Sequence, residues 1–485
     1  MSSPILVLGA AAVLFAQSTV AFNCSKAPIY VDIHKRAVHD SPVFQYGSFI
    51  GVGTPAQNHS LWPSLSRNQT SFASLNYCGN STLRNCDTST GGFFQPEDST
   101  SFSVTNTRTL DAANGTTKAF LGEDTLRLYT HYFETDGAWQ TLLEKSSVKV
   151  AEQGSTTPSV VGIGSSSTVL RDLAARDIIA GKTYSLYIGQ GFDRAGGLVN
   201  GSNVFGGYDS GRFTGPVHKY NMDLTKMNPM SVRVKDIVLT ETANPNSNTS
   251  LFDPTAFPSM TSRPDAFTAE ITTDQYPLSL PYQITQNFIK QLGASADNTW
   301  NDNSLKLKNG FNGTLSIVLE DGFTVTLPAE VLANQSNITP IQDRAKDSKQ
   351  PFYLSVAFLT QVYLMADYES SVFYLAEAIQ KNNAVMPVAF CPRSTPAPYE
   401  RPNQGAWAKQ GLVGAVVGGV IGGIGIAICA YCFVLGCRRK MGEKRKEKAL
   451  EKGRRAKIEQ MEIEEAGMFF DPPPKTAKPF FWRKR

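Results

Sequence analysis

Between residues 46 and 392 the apolar positions come in short runs, many alternating with polar ones and separated by Gly, Asn, Ser and Pro. Alternation of period two puts one face of a strand on a core and the other on solvent, and the intervening residues are those of turns, so the predicted class is all-β. Leu315–Leu332 (LSIVLEDGFTVTLPAEVL) reads as a hairpin, and Ile284–Ala294 (ITQNFIKQLGA) as a helix. Two longer runs break the pattern. ILVLGAAAVLFA lies within the first 21 residues and is followed by Thr19-Val20-Ala21, the pattern of a secretory signal cleaved near Ala21. Gly411–Cys437 is an uncharged apolar run of 27 residues. At 1.5 Å per residue it spans about 40 Å, enough to cross a hydrocarbon core of about 30 Å with some tilt.

Arg438, Arg439 and Lys440 follow that run at once, which assigns the C-terminal side to the cytoplasm and the N-terminal side to the exterior. The tail from Arg438 to Arg485 holds 16 Lys/Arg against 8 Asp/Glu, leaving 30 against 34 for the rest of the chain. The basic pI therefore belongs to the tail, and no nucleic-acid partner is expected. Asn-x-Ser/Thr sequons occur at Asn23, Asn58, Asn68, Asn80, Asn114, Asn200, Asn248, Asn312, Asn334 and Asn337, all before the span, which supports the same topology. The expected plan is a signal peptide (1–21), an N-terminal segment (22–45), two β lobes (46–201 and 202–392), a stalk (393–410), a transmembrane helix (411–437) and a basic cytoplasmic tail (438–485). Gly414, Gly418 and Gly422 lie four apart, a spacing that permits a homodimer through the helix.

Four of the seven cysteines, Cys24, Cys78, Cys86 and Cys391, fall in the external part, where disulfides form. Three pairings are open and the sequence does not choose among them; the preferred one closes a short loop between Cys78 and Cys86 and leaves Cys24 with Cys391. Cys429, Cys432 and Cys437 lie in or beside the span. The five histidines, His34, His39, His59, His131 and His218, are scattered with no metal-ligand spacing, so neither a metal nor a cofactor is expected. A Gly-x-Ser-x-Gly elbow and a phosphate-binding glycine loop are both absent from the sequence.

The order of motifs is more specific than any one of them. Gly53-Thr54-Pro55-x-Gln57 opens the series, followed by FFQPEDSTSFS at 93–103, FLGEDTLRL at 120–128, VVGIG at 160–164, YSLYIG at 184–189 and NVFGGYDSGRFTGPV at 203–217. FTAEITTDQYPLSLP at 267–281 and FYLSVAFLTQVYLMADYESSVFYLAEA at 352–378 complete it. This order, over Tyr46 to Ala378, resembles that of pepsin-type aspartic peptidases, specifically a fungal membrane-anchored branch. The resemblance implies two similar β lobes facing each other across a cleft, with one catalytic Asp-Thr/Ser-Gly turn from each. It also gives Lys35-Arg36 two readings, a processing site of a vestigial prosegment or part of an ordinary N-terminal strand.

Counted from Gln57, the first catalytic turn falls on Ser64-Leu65-Ser66 and the second on Thr272-Thr273-Asp274. No Asp or Glu occurs between Asp40 and Asp87, so no shift of register supplies the first carboxylate. The family's chemistry needs two carboxylates sharing one proton, one acting as base and one as acid; the hydroxyls of Ser64 and Thr272 fill neither role. Ser66 and Asp274 stand where glycine is expected to let the chain bend, Ser355 replaces another glycine, and Leu110–Gly115 lacks the flap tyrosine. The expectation is a catalytically inactive, glycosylated, single-pass surface protein whose cleft binds an extended peptide or a cell-wall protein in a binding, sensing or scaffold role. The alternative is an active membrane-anchored aspartic endopeptidase that acts on proteins in the secretory pathway or cell wall and recruits Asp253 or Asp274. Plasma membrane is the expected location, with a vacuolar or other secretory-pathway membrane as the alternative.

Overall fold

The computed structural model describes residues 22–108, 116–130, 139–333, 336–381, 384–400 and 406–465. The expected signal peptide, the sequons Asn114 and Asn334, His131, the flap segment Leu110–Gly115 and the tail tip lie outside these residues. The chain divides into two compact units, residues 1–399 and 400–485.

The first unit is all-β, as its alternation predicts. In strand Ser231–Glu241 and strand Gly313–Leu319 buried and more exposed positions alternate, and the two pair antiparallel from Val234 with Leu319 to Glu241 with Gly313. They belong to a six-stranded sheet with strands Asn244–Ser250, Phe267–Ile271, Thr324–Leu327 and Phe352–Leu354. The hairpin read from Leu315–Leu332 is its Gly313–Leu319/Thr324–Leu327 pair. The predicted helix is Tyr282–Leu292; it packs Ile284 and Phe288 inward, four residues apart, and ends at Gly293, whose φ of 62° is the left-handed turn that terminates helices.

A 14-stranded sheet joins both halves of the sequence. Strand Ile29–Arg36 sits inside it, paired on one side with Gly201–Phe205 and on the other with Gln45–Val52. Outward from Gln45–Val52 the order runs through Gln57–Ser64, Val160–Gly162 and Thr70–Ser74. Outward from Gly201–Phe205 it runs through Thr183–Tyr187, Val362–Asp367 and Val372–Ala378. Lys35 and Arg36 therefore lie in an ordinary strand, opposite Tyr46 and Gln45. The structure joins Cys24 to Cys391 and Cys78 to Cys86, the pairing preferred from sequence.

The second unit contains one unbroken helix, Ala406–Glu465, which runs from the apolar stretch into the charged tail. It is the one helix among the described residues that is long and apolar enough to cross a membrane.

Two consequences follow for stability. Chain-entropy scaling makes a cross-link more stabilising the longer the loop it closes. Removing Cys24–Cys391, separated by 367 residues, should cost about 3 kcal/mol more than removing Cys78–Cys86, separated by 8, measured by denaturant unfolding of Cys→Ala pairs. The second consequence concerns His59, fully buried against Phe72 and Phe94 with the His39 ring 6.4 Å away. Burial, with a smaller contribution from His39, pushes it down to about 3. Unfolded histidine titrates near 6.5, so between there and about 3 the unfolded chain takes up a proton that the folded chain refuses. The stabilisation is complete above pH about 6.5 and is lost as pH falls, by up to about 1.4 kcal/mol per pH unit. Unfolding of a His59→Leu variant should show a shallower loss between pH 6 and 4; an unchanged slope would assign acid sensitivity elsewhere.

Candidate functional site

Strand Gln57–Ser64 carries Trp62 into the lining of a cleft and ends at the buried Ser64, supported from behind by strand Val160–Gly162 in parallel register, Ser64 opposite Gly162. From the other half, strand Phe267–Ile271 delivers Thr272, and its parallel neighbour Phe352–Leu354 braces it. The cleft encloses about 940 Å³ and is lined by Ser66, Trp62, Thr272, Thr273 and Asp274 among others. The two turns that the motif order selected thus meet at one place.

Their contacts are specific. The Ser64 hydroxyl donates to Asp274 Oδ1 at 2.8 Å and the Ser66 hydroxyl donates to Oδ2 of the same carboxylate. The Leu65 amide donates to Thr273 Oγ1 at 3.2 Å, and the Trp62 indole N–H donates to the Thr273 carbonyl at 2.7 Å. Within the second turn, the Thr272 hydroxyl accepts from the Asp274 amide at 3.1 Å. Ser64 and Thr272 are buried, whereas Asp274 is exposed to the cleft. The Asp274 carboxylate consequently takes two hydroxyl donors from the opposite half and has no ion-pair partner among the described residues.

The glycine expectation needs correcting. Neither Ser66 nor Asp274 has a positive φ among the described residues, so both turns close without the conformation that glycine would favour. Side chains at these two positions instead occupy the space between the turns and bond to each other. Ser355 is likewise accommodated, in extended backbone, with its hydroxyl donating to the Tyr276 carbonyl at 2.6 Å. Asp253 is not among the residues lining the cleft; its carboxylate accepts from the amide and hydroxyl of Thr255, both at 2.8 Å, and these bonds hold it below the usual range.

Sequence reading missed the aromatic wall. Trp62 stands against Tyr46 and Phe192 at ring separations of 6.4 and 5.5 Å, and Phe192 packs on Tyr276 at 5.9 Å. The available signal was Trp62 two positions before Ser64, hence on the same strand face. Glu270, half-buried in the cleft, was missed as well; burial raises it, with Lys226 opposing. Other charges at the cleft are compensated: Lys35 meets Asp193 at 2.5 Å, and buried Arg194 meets Asp302 at 3.4 Å while stacking on Tyr276. Arg67 donates to the Thr157 carbonyl and the Thr156 hydroxyl, both at 3.3 Å. Of the eight sequon asparagines among the described residues, none is buried.

A crystal structure of an aspartic proteinase from Irpex lacteus is 18% identical, with a TM-score of 0.49, over 73% of this chain and 98% of that one. A search of curated proteins found no match. The model of the eukaryotic aspartyl protease family matches residues 45–378, which contain both turns, the cleft floor between them and well over half of the sequence; on that match, the chain belongs to the eukaryotic aspartyl protease family.

Proposed function

We propose that this family member is catalytically inactive, a pseudopeptidase whose cleft holds an extended peptide or a cell-wall protein segment in a binding, sensing or scaffold role. One observation carries the reading: at the junction of the two turns a single carboxylate, Asp274, is hydrogen-bonded to the hydroxyls of Ser64 and Ser66. Peptide hydrolysis of this class requires a water polarised between an ionised and a protonated carboxyl group. Serine and threonine hydroxyls remain protonated throughout the working range and cannot supply the base. Glu270 lines the same cleft but has no hydrogen bond to Asp274. The aromatic wall and the enclosed volume, by contrast, suit retention of a ligand.

The reading extends to location. The apolar helix serves as a single-pass anchor, with the β unit outside and the basic residues after Cys437 on the cytoplasmic side. The unburied sequon asparagines suit a glycoprotein of the fungal cell surface, delivered through a cleaved signal; the plasma membrane is the proposed site and a vacuolar or other secretory membrane the alternative. An active endopeptidase is the second reading, favoured by the exposure of Asp274 to the cleft. It requires a further acid acting with that carboxylate.

Incubation of the glycosylated ectodomain, residues 22–405, with a diverse peptide library from pH 3 to 7 should give no pepstatin-sensitive cleavage by mass spectrometry, and Asp274→Ala should leave that result unchanged. Acid-dependent cleavage that pepstatin blocks and Asp274→Ala abolishes would establish the second reading instead.

A further inference from the structure

The helix Ala406–Glu465 carries its charge in an order that the membrane reading does not require. From Arg438 to Lys457 there are eleven Lys/Arg and three Asp/Glu; from Ile458 to Glu465 there are four glutamates and no base. Bases immediately after the apolar run suffice to set orientation, yet here they continue for five further turns. The charged side chains from Arg438 to Lys448 are exposed. Among the described residues none of these bases is in an ion pair, whereas the more distal Arg455 meets Glu451 at 3.5 Å.

The helix has no break between the apolar and basic parts, so distance from the membrane follows from residue number. Headgroups extend about 5–7 Å beyond the hydrocarbon on each side, and charges are felt for about another 8 Å at physiological salt. Even for an upright helix, at about 1.5 Å per residue, that range takes in Arg438 to Lys446, with six bases against Glu443 alone. Tilt of the over-long apolar run brings further bases within range. Glu459 to Glu465 begin roughly 30 Å out, where a surface potential no longer acts. Cationic charge is thus concentrated where an anionic surface would be, and anionic charge is kept beyond its reach.

We infer that Arg438–Lys448 is a binding site for anionic phospholipid headgroups, selecting an acidic lipid shell around the anchor. The inference rests on the membrane-anchor reading. The charge order favours a lipid surface over a soluble acidic partner, which would be served equally well by bases farther along the helix.

The test uses the full chain reconstituted into phosphatidylcholine vesicles containing phosphatidylserine, with spin-labelled forms of each lipid. Flotation with the vesicles, resistant to high salt and carbonate, establishes the anchor separately. Electron spin resonance of the motionally restricted shell should then show phosphatidylserine preferred by at least about threefold at low salt, falling toward parity in about 1 M salt. Changing Lys444, Arg445, Lys446 and Lys448 to Gln should remove most of that preference, while changing Lys452, Arg454, Arg455 and Lys457 to Gln should leave it. Arg438–Lys440 stay intact in both variants, so orientation is held constant. Equal association of the two lipids with inserted protein, or equal loss in both variants, overturns the lipid site and leaves the anchor standing. Failure to float overturns both.

Discussion

Four hydrogen bonds from the end of one strand hold the cleft floor together. Trp62 and Leu65 donate to Thr273, and Ser64 and Ser66 donate to Asp274, so a stretch of five residues in one half is tied to two consecutive residues in the other. The shared sheet brings the two halves into register, but it is these side-chain and amide contacts that set the spacing at the site. Their acceptors differ in kind. A backbone carbonyl and a hydroxyl accept the first pair, which is insensitive to pH, while a carboxylate accepts the second pair through hydrogen bonds strengthened by its charge. The hydroxyls of Ser64 and Ser66 and the carboxylate of Asp274 thus leave the junction paired across the two halves.

Much of this was legible in the sequence. Period-two alternation gave the β class, and the spacing of Gly53–Gln57, Val160–Gly164 and Asn203–Val217 located elements around the first of the two turns that meet at the cleft. Residues 41 to 86 hold no acid, so the carboxylate at the junction comes from the other half, as Asp274. What could not be read was side-chain reach. Glycine at the third turn position is a rule about backbone freedom, and it misled because Ser66 and Asp274 adopt ordinary φ. Asp253 looked equivalent to Asp274 as an acid on a nearby stretch, yet one caps its own surface turn and the other spans the junction. Trp62 was visible only as an aromatic in a strand, because its partner, the Thr273 carbonyl, lies 211 positions away.

The two units solve different electrostatic problems. Around the cleft, charges are placed within reach of opposite charges or polar partners, as with Lys35 and Asp193, Arg194 and Asp302, and Arg67 with Thr156 and Thr157. Partial burial makes an unmatched charge there costly. On the long helix beyond Cys437 the charged side chains are exposed as far as Glu459, so bases can be grouped without compensation and their arrangement is free to follow distance along the axis.

The Cys24–Cys391 bond also defines how the β unit would carry mechanical load. The final strand before the helical unit, Pro387–Ala389, has only three residues paired with Gly207–Asp209 and could be unzipped from its end. Tension arriving from the helical side meets the hydrogen bonds of Tyr399, Ala397 and Arg393 and then Cys391, whose covalent bond passes it to Cys24, a few residues before strand Ile29–Arg36. That strand is flanked on both sides within the 14-stranded sheet, so displacing it means breaking two ladders together. Force applied at one end of the sequence is thereby delivered to the interior of the sheet rather than to its weakest edge.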